Sequence, residues 1–575
     1  MDEQVAQPSS WRQSVVVILL TAAALAATLP MLEFASGSEN LVVSTALETR
    51  RESHWLMPTL EGELRIAKPP LATWLTAAAI SPSLSRDLSS ADSATRERAH
   101  WHLRWRARLP SLLTACGLLV ACGAFARVFV GAREAWIAVA ICASTIMFLK
   151  AARSATTDIQ LALWVAAANA LLAQALFASR RRALVALAGV AVGLALMSKG
   201  PVTLLQTVLP LALFAMWDRL TKPASEVLSS KSFTWIASCA FGIGLMLCVA
   251  LPWYVAIYLR DPGVASVWWR EVTREGATGI APGKWYNYVV LLPILLPWTV
   301  AFVLGTTRIS LNLIARTRVD RRMVLAMAYV LVPIIVMSFF RDRKERYLLP
   351  MVVPAAVVAA YGLQSLLNPL EPRKRLFQAL RRLHWIGLLA AAVGLPVAGL
   401  VFLKSIEGRP WFSWSEAMLL GLAAGVPALW GLANSGLRAS RFVWPTLATM
   451  LVLQVGLVWG YRHAREGRSE MKPLADLIWK SYPEADVYTS SEGRKKYAPN
   501  DLAIYLNRAV RWSSSPGEVP QHARPTVLVI RQDEDELEPP PTPPGWAHFA
   551  KVPRDKSWWH AFVRQDPAPL PAEDR

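Results

Sequence analysis

Charge is scarce in this chain. Of 575 residues only 18% are Asp, Glu, Lys or Arg, against roughly one quarter in soluble domains, which excludes a soluble enzyme. Paired cysteines are missing too. The five present, Cys116, Cys122, Cys142, Cys239 and Cys248, all fall in apolar runs without paired spacing, which argues against a disulfide framework and against a cysteine zinc site. Acid is scarcer than base: 41 Asp and Glu face 61 Lys and Arg, a formal charge of +20. In a soluble chain that excess would suggest nucleic acid. In a membrane chain basic cytoplasmic loops account for it, so no nucleic-acid partner is expected.

What the chain has in quantity is apolar residues, 54% of the total. A span needs about 20 of them to cross a hydrocarbon core of about 30 Å. Such runs cover Ser14 to Leu32 and begin again near Leu109, Ala135, Ile159, Ala183, Val202, Phe233, Tyr288, Val324, Tyr347, Ile386, Ala417 and Val443, thirteen in all, give or take two. Several are short or broken by proline, notably the pair flanking Lys199-Gly200-Pro201. The first lacks a small-residue cleavage site and reads as an uncleaved span. With the N-terminus in the cytoplasm, Arg180-Arg181-Arg182, the stretch Arg316 to Arg322, and Arg373-Lys374-Arg375 with Arg381-Arg382 all fall on the cytoplasmic side. An odd span count then places the first loop, 33–108, and the C-terminal tail on the opposite face.

The tail alternates helix-like stretches, Met471 to Lys480 and Asn500 to Asn507, with β-rich ones, Ala485 to Thr489, Thr526 to Arg531 and Trp558 to Val563. Pro539-Pro540-Pro541-Thr542-Pro543-Pro544 reads as a stiff connection between two of its strands. The expected architecture is therefore a polytopic all-α membrane domain of about 13 transmembrane helices over 1–462, followed by a small α/β extramembrane domain over 463–575.

Four polar stretches on the non-cytoplasmic side stand out. Gly37-Ser38-Glu39-Asn40 puts an acid just after the first span; it is a candidate proton acceptor or a solvating helix end. In Arg65-Ile66-Ala67-Lys68-Pro69-Pro70-Leu71 two prolines fix the backbone after Lys68 and present its ammonium at the start of an amphipathic helix. That lysine suits an anionic head group, or simply snorkels to anchor the helix. Arg153-Ser154-Ala155-Thr156-Thr157-Asp158 ends in an acid entering the next span, where Thr156 or Thr157 could cap the helix and the dipole favours Asp158. Arg341-Asp342-Arg343-Lys344-Glu345-Arg346-Tyr347-Leu348-Leu349-Pro350 puts four cations in an outside loop, against the positive-inside trend, as phosphate binding would require.

Together these stretches resemble glycosyltransferase family 39. That family includes the dolichyl-phosphate-mannose protein mannosyltransferases and the bacterial transferases that place 4-amino-4-deoxy-L-arabinose on lipid A. The family pattern of Asp-Glu, a helix, Gly-Asp-Trp-Leu-Val-Pro, an Asn-Gly turn and Glu-Lys-Pro-Pro-Leu is matched by Ser38-Glu39, His54-Trp55-Leu56-Met57-Pro58, Glu61-Gly62 and Ala67-Lys68-Pro69-Pro70-Leu71. Lys199-Gly200-Pro201, Pro252-Trp253-Tyr254, Pro297-Trp298 and Arg346-Tyr347-Leu348-Leu349-Pro350 follow in family order, so the likeness reaches about residue 365. Two positions depart from it. The family's first catalytic aspartate falls on Ser38, and the glutamate before its lysine falls on Ala67.

The resemblance implies a GT-C fold and an inverting transfer of a sugar from a polyprenyl-phosphate donor to a lipid, glycan or protein acceptor, on the periplasmic side of a bacterial inner membrane. Glu39 and Asp158 are the catalytic candidates, and Lys68, Arg343, Lys344, Arg346 and Tyr347 the donor-phosphate candidates. The resemblance implies no nucleotide and no certain cofactor, and a divalent metal stays open because the Ala67 position is associated with metal binding in some relatives. The alternatives are a lipid-linked sugar flippase or transporter, for which internal repeats and midplane charges are lacking, and an inactive relative serving as a binding subunit.

Overall fold

The computed structural model describes residues 10–564 apart from 35–36, 179–180, 222–231, 274–284, 317–318, 341–342, 368–373, 404–408, 435–437, 466–470, 491–499, 521–523, 534–537 and 555–556. Arg180, Arg341, Asp342 and Arg373 of the sequence reading lie outside the described residues.

Among the described residues nine helices are long and apolar enough to cross a membrane. The other four apolar runs are present, but shorter or divided. The run from Ala135 splits into Ala135–Ala143 and Ile146–Ala151 at Ser144 and Thr145. Both hydroxyls turn back on the preceding helix, Ser144 Oγ to the Ala140 carbonyl at 2.6 Å and Thr145 Oγ1 to that of Cys142 at 2.9 Å. The run from Val202 divides into Val202–Gln206 and Val208–Thr221. That from Tyr288 begins in a 3-10 turn, passes through the four-residue helix Leu291–Ile294 and continues as Thr299–Ile314. Arg321–Met337 has 17 residues. The thirteen runs are thus recovered as apolar segments, and nine of them as full-length helices.

Hydrogen bonds sort the connecting segments into two ends. At one end Arg321 pairs with Asp218, Gln364 bonds Glu134, and Arg322 Nη1 donates to the Val128 carbonyl at 3.1 Å. Every one of these residues lies in or beside a loop assigned to the cytoplasmic side. The other end gathers the first loop and the segments around 150–158, 199, 271 and 345, as described below. Loop parity from the sequence and geometry from the fold therefore agree.

The helix Ser93–Phe129 joins the two regions. Its 37 residues make a rod of about 55 Å at 1.5 Å per residue, well beyond a hydrocarbon core. Asp92 starts it, accepting from the Thr95 amide at 2.9 Å and the Ala94 amide at 3.3 Å. Its polar first half presents Arg96, His100, Arg104 and Arg108 at four-residue intervals, one stripe along one face.

That stripe organises everything around it. Arg96 donates to the carbonyls of Ser90 and Ala91, both at 2.8 Å, and lies over the Trp479 ring. His100 packs on Tyr505, Arg104 faces Glu33 at 3.6 Å, and Arg108 reaches Glu39. The tail residues 471–564 thereby dock on the first loop, with Tyr505 OH donating to Glu33 Oε2 at 2.7 Å and Asn507 Nδ2 to the Ser85 carbonyl at 2.8 Å.

In the tail a five-stranded sheet runs in the order Val510–Ser513, Asp486–Ser490, Thr526–Asp533, Ser557–Arg564, Ala547–Arg554. Its first three strands are parallel and the last two antiparallel. Helices Lys472–Ser481 and Asn500–Leu506 pack on one face through Leu474, Ile478, Leu502 and Leu506. The proline run lies between the strands ending at Asp533 and starting at Ala547, as a connection.

Candidate functional site

The first loop carries the site and is held from three directions. Helix Gly37–Glu52 follows the first span. After it, Thr59–Leu60 and Glu63–Leu64 form a minimal hairpin whose two turn residues, Glu61 and Gly62, both have positive φ, 61° and 77°. The non-glycine Glu61 is kept in that conformation by Glu48, whose two carboxylate oxygens accept from the Glu61 and Gly62 amides, each at 2.9 Å. Arg65, just beyond, donates to the Leu41 carbonyl at 2.7 Å and to Thr45 at 2.6 Å.

Three indoles then fix the strand of chain leading to Lys68. Trp74 Nε1 donates to the Trp55 carbonyl at 2.6 Å, Trp253 Nε1 to that of Leu56 at 3.0 Å, and Trp268 Nε1 to that of Ile66 at 2.8 Å. Ile66, Met197, Trp253 and Ile257 close an apolar cluster beneath. Pro69-Pro70 lead directly into helix Leu71–Ala79, so Lys68 sits on a short rigid turn between two anchored segments.

Lys68 meets other charges there. Its Nζ is 3.6 Å from Glu271 Oε1. Burial pushes the ammonium down to about 8; Glu271 opposes the shift, while Lys199, Arg65 and Arg346 add to it. Asp158, in the first turn of Thr157–Phe177, is buried and pairs with Lys199 through Oδ1, with Arg346 Nε 3.8 Å from Oδ2. Neither threonine explains this acid as a cap: the N-cap is Thr156, and its side chain makes no capping bond. Tyr347 closes the group, with the Lys199 ammonium 4.2 Å from its ring centroid and the Arg346 guanidinium carbon 5.8 Å away. Four cations, Lys68, Arg65, Lys199 and Arg346, thus share a region with two carboxylates, Asp158 and Glu271, leaving a local excess of positive charge suited to an anion. Arg343 and Lys344 stand just before the 3-10 turn Glu345–Met351, both half-buried. Glu345 itself turns to Lys150, at 2.5 Å.

Glu39 occupies a different setting from Asp158. It is buried in the first turn of its helix, and Arg108 grips it bidentately, Nε to Oε1 at 2.8 Å and Nη2 to Oε2 at 3.0 Å. Oε1 also accepts from the Ala155 amide at 2.8 Å. The other Arg108 hydrogens go to the carbonyls of Leu29, Leu32 and Glu33. The pair therefore ties the end of the first span to the loop that carries Asp158, three residues beyond Ala155. Both acids stand at one end of the helical body. Ser38, beside Glu39, is partly exposed, as is Ala67. Among the described residues no three His, Cys, Asp or Glu side chains come together in a way that could hold a metal ion.

Sequence reasoning missed four of these groups: Arg108, Lys199 as the partner of Asp158, Glu271 and Glu48. The four-residue repeat Arg96, His100, Arg104, Arg108 was a usable signal for the first. Nothing in the local pattern pointed to Glu271, which is over two hundred residues from Lys68.

Comparison with known proteins supports the likeness read from the motifs. A family model described as dolichyl-phosphate-mannose-protein mannosyltransferase matches residues 69–268. The undecaprenyl phosphate-alpha-4-amino-4-deoxy-L-arabinose arabinosyl transferase 1 of Pseudomonas fluorescens (strain Pf0-1) is 27% identical over 278 residues, 48% of this chain and 44% of that protein. The corresponding transferase of Serratia proteamaculans (strain 568) is 24% identical over 329 residues, 56% of each. The chain thus spans about half the length of these curated relatives. The crystal structure of ArnT from Cupriavidus metallidurans bound to undecaprenyl phosphate superimposes with a TM-score of 0.71 at 18% identity, covering 95% of this chain and 97% of that one. The apo form gives 0.68 at 17% identity over the same shares. The fold is shared end to end: a multi-span helical membrane body with a small sheet at its C-terminus.

Proposed function

We propose that this chain, a multi-span membrane protein with the fold of those sugar-lipid transferases, transfers a sugar from a polyprenyl-phosphate donor to a lipid, glycan or protein acceptor at the periplasmic face of a bacterial inner membrane. The observation that carries the reading is the cluster of Lys68, Arg65, Lys199 and Arg346 around Asp158 and Glu271. An excess of cations beside an apolar body accommodates a phosphate whose tail is lipid.

In this reading the acceptor oxygen attacks the anomeric carbon as the bond to the phosphate oxygen breaks, inverting the centre. Lys68 and Arg346, with Tyr347 and the neighbouring Arg343 and Lys344, stabilise the charge that develops on the departing phosphate. Of the two candidate acids, Asp158 stands among these cations and orients or receives the acceptor proton. Glu39, committed to Arg108 and Ala155, acts by holding the Asp158 loop in place. We take residues 1–462 as the transferase body and 463–575 as a separate domain seated on its first loop.

The test is transfer of labelled sugar from a polyprenyl-phosphate donor in vesicles containing the purified chain. Asp158→Asn and Lys68→Ala should each abolish transfer with the protein still folded in detergent, whereas turnover retained in both would remove the assignment. A flippase would move the donor without consuming it. An inactive relative would bind donor without turnover even as wild type.

A further inference from the structure

The hairpin that ends the tail sheet carries a second constellation, remote from the phosphate cluster. His548, on the edge strand Ala547–Arg554, is exposed; His560, on the adjoining Ser557–Arg564, is buried. An unbroken register continued from the Lys551–His560 pair would set His548 against Val563, but an irregularity between His548 and Ala550 shifts the edge strand by one residue and pairs His548 with Phe562. The result is a His560 Nδ1 to His548 Nε2 separation of 3.4 Å.

The protonation of the inner ring follows from its other partners. Gln532 Nε2 donates to the Glu538 carbonyl at 2.8 Å, so its Oε1 faces His560 Nε2, also at 2.8 Å. An amide oxygen only accepts, so His560 carries its proton on Nε2 and turns the bare Nδ1 lone pair toward His548. Lys551 is the cation opposite His560, and its ammonium lies over the Trp558 ring, 4.3 Å from the centroid.

We propose that His548 and His560 form a binding site for a borderline divalent transition-metal ion of the Zn2+, Ni2+ or Cu2+ class, with water completing the coordination. Two imidazole nitrogens at about 2.0–2.1 Å from a tetrahedral ion stand about 3.3 Å apart, close to the 3.4 Å seen. The Gln532 bond to the far nitrogen of His560 is the support that metal-binding histidines characteristically have, fixing tautomer and ring orientation. Exposure of His548 supplies the entry path, and imidazole suits this class of ion. An ion held there would staple the edge strand to its neighbour.

The experiment is calorimetric titration of the full chain in detergent, without a histidine tag, using Zn2+ alone. One Zn2+ per chain should bind with a micromolar Kd. His548→Ala, at an exposed position, should weaken binding at least tenfold, with His548→Gln as a second replacement if the first lowers the metal-free unfolding midpoint. Gln532→Leu should weaken it about tenfold through loss of the fixed tautomer. Zn2+ should raise the unfolding midpoint of the wild type and not of the His548 variants. Absence of saturable Zn2+ binding, or unchanged affinity in the His548 variants, would overturn the proposal.

Discussion

A carboxylate gripped by two guanidinium nitrogens and a backbone amide has little left to offer a substrate, and that is the position of Glu39. Removing its charge leaves Arg108 buried and unpaired, a change that destabilises by about 3–5 kcal/mol in comparable buried pairs. Glu39→Gln should therefore lower the thermal midpoint in detergent along with transfer, while Ser38→Ala, at a partly exposed position, should leave both near wild type. Loss of transfer at an unchanged midpoint would instead mark Glu39 as a direct participant in the reaction. Lys68 makes the opposite case, a group whose charge is easily lost. With its ammonium pushed down to about 8, Lys68 is cationic below that pH and neutral above it, so the free site loses one of its four positive charges as pH rises. Donor kcat/KM should fall as pH rises through about 8, and Lys68→Arg, charged at every accessible pH, should flatten that limb of the profile whatever its absolute rate. A profile that still falls at the same pH in the arginine variant would assign the titration to another group.

At the scale of elements, two landmarks of the motif pattern, Trp253 and Trp298, turn out to be joints, and Trp268, outside that pattern, is a third. Trp253 and Trp268 lie on helices remote in sequence from the first loop, yet their indoles hold the carbonyls of Leu56 and Ile66 on the approach to Lys68. Trp298 does similar work in the interior, donating to Ser144 Oγ at 2.8 Å where the Ala135 run breaks. Trp253→Phe keeps the ring and removes the donor, leaving a carbonyl unsatisfied at about 1–3 kcal/mol. It should raise the donor KM more than it lowers kcat, and speed proteolytic cleavage between residues 51 and 66. A kcat loss at constant KM would place Trp253 in the chemistry instead. The same joints explain what the sequence could and could not disclose. Apolar runs, the Pro69-Pro70 helix start and three of the five tail strands depend on local pattern and were readable; the Glu61-Gly62 turn came from the family resemblance, and the strands Val510–Ser513 and Ala547–Arg554 were not read. The break at Ser144-Thr145 was not, because serine and threonine bonding back to a carbonyl leaves no mark on hydropathy. Nor were the ion-pair partners: Lys199 stood between two short runs, Arg108 at the end of the first loop, and Glu271 in no stretch that stood out. Each acquires its role only when loops far apart in the chain converge.

For the whole molecule, the convergence itself is the physical claim. Segments at 33–108, 150–158, 199, 271 and 343–347, separated by spans of either direction, meet at one end, while 128–134, 218, 321–322 and 364 meet at the other. A chain threaded with a single span misassigned would put Asp158 and Lys199, or Arg346, on opposite sides of a barrier some 30 Å thick, where no ion pair could form. The tail adds a second constraint, because Asn507 and Tyr505 bind the first loop and so commit the C-terminal sheet to the same end. In the proposed orientation the basic loops at the other end face the cytoplasm. Single cysteines introduced at Ser90, Glu345 and Asp533 should all react with a membrane-impermeant thiol reagent applied to intact cells, and one at Ala132 only after the membrane is opened. The native cysteines lie within apolar runs and supply a low background. Reaction of Ala132→Cys in intact cells, with silence at the other three, would invert the protein in its membrane and move the cation cluster to the cytoplasm. A split among the first three would break the common end on which the phosphate site depends.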